Sequence, residues 1–185
     1  MAVSGPEQAL GLLELCSIAR GVVCCDAVVK KAVVRLVHAG TTHPGKYTIL
    51  IRGGVDEVIE SLKAGRRAAG DTLIDQVLLP NPHDALLTIL DGADPAPLDS
   101  LGVLESYGVA STIRGADAAL KAGFVRPVSI GLARDLGGKG YFIFTGALHD
   151  VEAAMEAGRA AVTAGLLAGA EIVANPHPDV AAGLR

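Results

Sequence analysis

Few side chains in this sequence are placed for chemistry. His43 stands in the stretch TTHPGK, residues 41–46, between two apolar runs rich in β-branched residues, and Pro44 follows it. An imidazole titrates close to neutral pH and ligates divalent metals, so a histidine at a turn tip offers a polar titratable lining or a metal ligand. His83 and His177 each close an Asn-Pro-His triplet, and Glu14 and Glu105 each close an apolar run. A lone carboxylate with no second acid or base beside it in the chain points to a structural hydrogen bond rather than acid–base catalysis. Cys16, Cys24 and Cys25 are odd in number and lack CxxC spacing, so they read as reduced thiols on a packed face and not as a disulfide framework or zinc site. No GxSxG, Walker-type loop or HExxH occurs, and the glycine-rich DLGGKG at residues 135–140 reads as a hairpin rather than a phosphate cradle.

The elements that carry these residues are written twice. LGLLE at residues 10–14 returns as LGVLE at residues 101–105, a shift of 91 positions, and DAVVK at 26–30 returns at the same shift as DAALK at 117–121. At a shift of 93, Gly45 and Lys46 align with Gly138 and Lys139, and residues 64–66 align with 157–159. At 94 the NPH triplets coincide, so four blocks recur in the same order. Between the copies, DGADPAPLDS at residues 91–100 has the composition of an exposed linker, which sets the expected domains at 1–93 and 94–185.

Within one copy, the run ALGLLELCS predicts a buried strand, and residues 19–32 place apolar side chains at helical spacing. VVRLVHAGTT and KYTILIRG predict an antiparallel pair around the HPG tip, and residues 55–70 predict a second amphipathic helix. A fourth strand in DTLIDQVLLP and a short helix in HDALLTIL complete an α+β unit of order βαββαβ, with helices against one face of the sheet.

Composition limits the partners. The chain has 185 residues, 50% of them hydrophobic and 3% aromatic, with 16 basic against 20 acidic side chains. A net charge of −4 supplies no basic field for nucleic acid or an anionic membrane surface. The first residues, MAVSGPEQALG, show neither a basic n-region nor an apolar h-region, which predicts a cytosolic protein.

Taken together, the duplicated LG(L/V)(L/V)E strand, the DAxxK helix, the Gly-Lys hairpin and the closing NPH segment resemble the tandem-domain, unpermuted shell proteins of bacterial microcompartments over nearly the whole chain. The resemblance implies a homotrimer of two-domain chains, a pseudohexamer that tiles edge to edge with other shell proteins around encapsulated enzymes. It implies a structural protein, not an enzyme, with a central pore for small metabolites or ions. The pore loops would then be Thr41, Thr42, His43, Pro44 and Gly45 from one copy, and Asp135, Leu136, Gly137 and Gly138 from the other, so that three His43 alternate with three Leu136. Pro44 fixes a backbone torsion and predicts a rigid tip. Lys30 and Lys121 match the family's tile-edge lysine, and Asn81, Asn175, His83 and His177 fall in its edge segment, where the family often has arginine in place of the asparagines.

No resident cofactor is expected. Some tandem members carry a cysteine and an iron–sulfur cluster at the loop position of His43, and a histidine there supplies no thiolate. Three imidazoles on a three-fold axis would instead suit a divalent metal, which makes a metal-binding pore protein with His43 as ligand one alternative function. A trimeric small-ligand sensor is another, since domains of this order serve many unrelated tasks.

Overall fold

A computed structural model of the chain describes residues 8–92, 98–133, 136–177 and 179–180. The first copy runs β1 (Ala9–Leu15), α1 (Ile18–Lys31), β2 (Arg35–Thr42), β3 (Lys46–Gly53), α2 (Val55–Ala69) and β4 (Leu73–Leu79). A short helix α3 (Asp84–Leu90) follows. The second copy runs β5 (Ser100–Ser106), α4 (Val109–Ala122), β6 (Arg126–Leu132), β7 (Gly140–Gly146), α5 (Leu148–Ala161) and β8 (Leu167–Val173). The predicted βαββαβ order is therefore present twice.

Each copy forms an antiparallel four-stranded sheet, ordered β2-β3-β1-β4 in the first and β6-β7-β5-β8 in the second. β1 is hydrogen-bonded on both edges and every residue of ALGLLEL is buried, which is why the sequence shows a continuous run there, apolar but for Glu14, instead of an alternation. The register of β1 on β4 shifts between Glu14 and Leu15, and that of β5 on β8 between Glu105 and Ser106, the same place in both copies. Such bulges bend the strand and add twist, here beside the base of each hairpin.

α1 starts at the N-cap Ser17, whose side chain accepts the Arg20 amide, and ends with Lys30 and Lys31 in its last turn, where cations meet the negative end of the helix dipole. Its buried stripe is Gly21, Cys24 and Val28, and it packs on α2. Gly65 of α2 lets the two helices approach: a Cβ there would run into Leu13 and Val28, and Cys24 donates its thiol proton to the Gly65 carbonyl at 3.2 Å. In the second copy Phe142 and Phe144 stack with centroids 5.3 Å apart, and Gly102, paired opposite Phe144, leaves room for that ring.

The chain divides into two compact units, residues up to 82 together with the loop 134–138, and residues 83–133 with 139 onward. Thus α3, read from the sequence as the end of the first copy, packs within the second unit, against β6 and α4. Among the described residues no helix is long and apolar enough to cross a membrane.

Candidate functional site

The two hairpin tips are the candidate site. In the first unit the β2–β3 turn leaves His43, Pro44 and Gly45 exposed, Thr41 exposed beside them and Thr42 buried at the strand end. The His43–Pro44 peptide is cis, and Gly45 takes φ +76°, a left-handed conformation that glycine adopts without strain. The loop between β6 and β7 presents Leu136 and Gly137 to solvent, with Gly138 buried; Asp135 lies outside the described residues. Residues 136–138 group with the first unit, and the reason shows at Gly138. With φ at +87°, a Cβ there would lie 2.9 Å from both the His43 carbonyl oxygen and Pro44 Cδ. Within the first unit Gly138 therefore lies against His43 and Pro44, with no side chain to hold it away.

Each tip stands on an ion pair. Lys46 donates to Glu14 Oε1 at 2.8 Å, with the Glu14 side chain fully buried and Lys46 17% exposed. Lys139 makes the corresponding bond to Glu105 Oε1 at 3.1 Å, where both partners are more open, and its ammonium also lies 5.5 Å from the centre of the Tyr107 ring. Sequence reasoning aligned the lysines with each other and the glutamates with each other but did not couple them. The signal was available: a lysine at the start of β3 or just before β7 and a glutamate near the end of the strand beside it recur together in both copies.

The expected edge residues fall into two sets. Lys30 donates to Asp26 Oδ2 at 2.7 Å on an exposed face, whereas Lys121 donates at 2.6 Å to Asp117, which is buried. Asn81 and Asn175 are exposed, Asn175 at φ +51°. His83 caps α3, its Nδ1 accepting the Ala85 amide at 3.1 Å, while its own amide donates to Asp117 Oδ1 at 2.8 Å. His177 repeats the cap, with Nδ1 accepting the Asp179 amide at 3.2 Å. Asp117, which sequence reading left as part of a motif, is thus the residue that fastens α3.

The cysteines are free: Cys16 exposed, Cys25 half-buried, Cys24 buried. Burial, then the neighbouring Cys25, pushes the Cys24 thiol up to about 11. Raised so far, it is held in the protonated form at neutral pH, against the thiolate that nucleophilic attack requires. Among the described residues of one chain no three metal-ligating side chains converge; a set of three His43 would draw on three chains.

Comparison with known proteins gives a consistent picture. The BMC domain model matches twice, at residues 9–82 and 100–176. The chain is 37% identical over 176 residues to the bacterial microcompartment shell protein PduT of Citrobacter freundii, covering 94% of this chain and 96% of that relative. It is 34% identical over 86 residues to the carboxysome shell protein CcmK2 of Synechococcus elongatus, 44% of this chain against 84% of that one. Among solved structures, a microcompartment protein from Desulfitobacterium hafniense superposes with a TM-score of 0.84 at 37% identity, covering 94% of this chain and 98% of that one.

Proposed function

The chain belongs to the BMC-domain family of bacterial microcompartment shell proteins, and from that premise we propose that three copies form one pseudohexameric tile with the hairpin tips around its three-fold axis. It is a structural protein of the microcompartment shell, where shell proteins assemble into tiles with other shell proteins. The observation that supports the finer reading is the abutment of Gly138 on His43 and Pro44 within the first unit. Repeated three times, those residues line a pore with Thr41, His43, Pro44 and Gly45 alternating with Leu136 and Gly137; Asp135, expected beside them from the sequence, lies outside the described residues.

Such a lining alternates polar His43 and Thr41 with apolar Leu136, suited to passage of small polar metabolites or ions. The tile needs no catalytic group. Nor does the reading call for a resident cofactor: equilibrium dialysis against Zn²⁺ should find no saturable site at one metal per three chains, and a site lost in His43→Ala would replace this reading with the metal-binding pore. Lys30, Lys121, Asn81 and Asn175 are assigned to the outer rim, where they meet neighbouring tiles or the shell's other proteins. Encapsulated enzymes are partners of the assembled shell face.

Negative-stain electron microscopy of the purified protein at rising concentration, with its mass measured in solution, tests the reading. Hexagonal plates that merge into flat lattices are the expected result. Discrete particles that never associate laterally, even when co-expressed with other shell proteins, would overturn it.

A further inference from the structure

The duplication shows the same surface twice, once covered and once bare. In the second unit α3 packs against α4 and β6, the His83 amide bonds Asp117, and Leu86 is fully buried. On α4 the residues Val109, Ile113, Asp117 and Leu120 are all buried. Their counterparts on α1, at the shift of 91, are Ile18, Val22, Asp26 and Val29. All four are exposed, Ile18 to 44% and Val22 to 56%.

The segment that would cover α1 also exists, at the other end of the chain. Asn175, Pro176 and His177 repeat residues 81–83 at the shift of 94, and the turn after them begins alike. Val180 donates its amide to the His177 carbonyl at 3.0 Å, as Leu86 does to His83 at 2.9 Å, and both histidine rings cap the next amides. Yet Val180 is 50% exposed where Leu86 is 0%. Among the described residues the His177 amide has no acceptor, and Asp26 receives no backbone amide. Lys30 already bonds Asp26 Oδ2 just as Lys121 bonds Asp117 Oδ2, so the acceptor carboxylate is oriented in advance.

One chain thus carries both halves of a contact and completes neither. We infer that the exposed face of α1 is the docking site for the C-terminal segment of a second copy of this chain, with the His177 amide of one copy on the Asp26 carboxylate of the next. Val180 then turns inward as Leu86 does. A charged acceptor in a partly covered site makes this hydrogen bond one of the stronger kinds. Donor segment and acceptor helix are different parts of the chain, so the contact is heterologous and repeats head to tail, and a rotation that closes makes it a ring. The inference rests on the trimeric reading above, in which that ring has three members, and names the residues that join them.

The test uses the full chain and the variants Val22→Asp, Val180→Asp and Asp26→Ala, with mass in solution followed against concentration and folding checked by circular dichroism. Val22, Val180 and Asp26 are exposed in the single chain, so each unit should keep its fold. Each variant should raise the dissociation constant of the trimer at least about tenfold, the equivalent of ~1.4 kcal/mol. A synthetic peptide of residues 174–185 should compete with wild-type assembly and fail against Asp26→Ala. Trimers that form in all three variants with affinity within about twofold of wild type would overturn the docking contact and leave the trimer standing. A wild-type chain that stays monomeric at every concentration would overturn the trimeric reading itself.

Discussion

Lys46, at the foot of the first hairpin, places its ammonium 2.8 Å from a Glu14 carboxylate that is buried in the middle strand of its sheet. The pair fastens the exposed tip to the least solvated part of the unit. Its counterpart, Lys139 with Glu105, has the same topology in a more open setting.

The two pairs should respond differently to truncation. Lys46→Ala removes a cationic partner of a buried carboxylate, a change that typically costs about 3–5 kcal/mol. Lys139→Ala breaks a partly solvated pair worth about 0–1 kcal/mol. Urea denaturation followed by circular dichroism should show a large loss of stability in the first variant and a small one in the second; equal losses would mean that burial does not set the value of these bonds.

Gly45 and Gly138 both occupy left-handed conformations, but only Gly138 is crowded. Gly45→Ala adds a methyl in open space and should cost about 1 kcal/mol of backbone strain. Gly138→Ala meets the His43 carbonyl and Pro44 as well, so its cost should reach roughly 2–3 kcal/mol and the two tips should separate. Thermal denaturation measures the first difference, and a crystal structure of Gly138→Ala the second.

Asp117→Ala removes the acceptor of the His83 amide and a partner of Lys121 at once. Leaving a buried donor unsatisfied costs about 1–3 kcal/mol, and α3 should lose protection in amide hydrogen exchange. Asp26→Ala in the dissociated chain breaks only an exposed pair and should lie within about 0.5 kcal/mol of wild type.

Cysteine reactivity should follow burial. At neutral pH an alkylating reagent should modify Cys16 first and Cys24 only on unfolding. Because the Cys24 thiol is held up at about 11 in the fold, while an unfolded thiol titrates near ~8.5, the unfolded chain releases this proton first as pH rises. The stability this thiol contributes is therefore complete below about pH 8.5 and falls away between there and about 11. Stability curves of wild type and Cys24→Ala should converge over that window; parallel curves would show that the thiol is not the group responsible.

Much of this protein was legible in the residues alone. The shifts of 91, 93 and 94 positions disclosed the duplication, and the unbroken run at β1, the β-branched pairs flanking HPG and the helical stripe of α1 disclosed the order of elements, because these signals depend on neighbours close in the chain. The triplet NPH and the DAxxK helices were legible as repeats, but repetition made them look equivalent. Tertiary structure broke that equivalence: Asp117 is buried beneath the start of α3 while Asp26 faces solvent, and Lys46 found a buried partner where Lys139 found a partly exposed one. Burial and long-range pairing depend on which segment folds over which, and α3 reaches α4 and β6 across the linker. Local pattern therefore determined the elements and their order, and only the fold decided which copy of each motif is covered and which is left exposed.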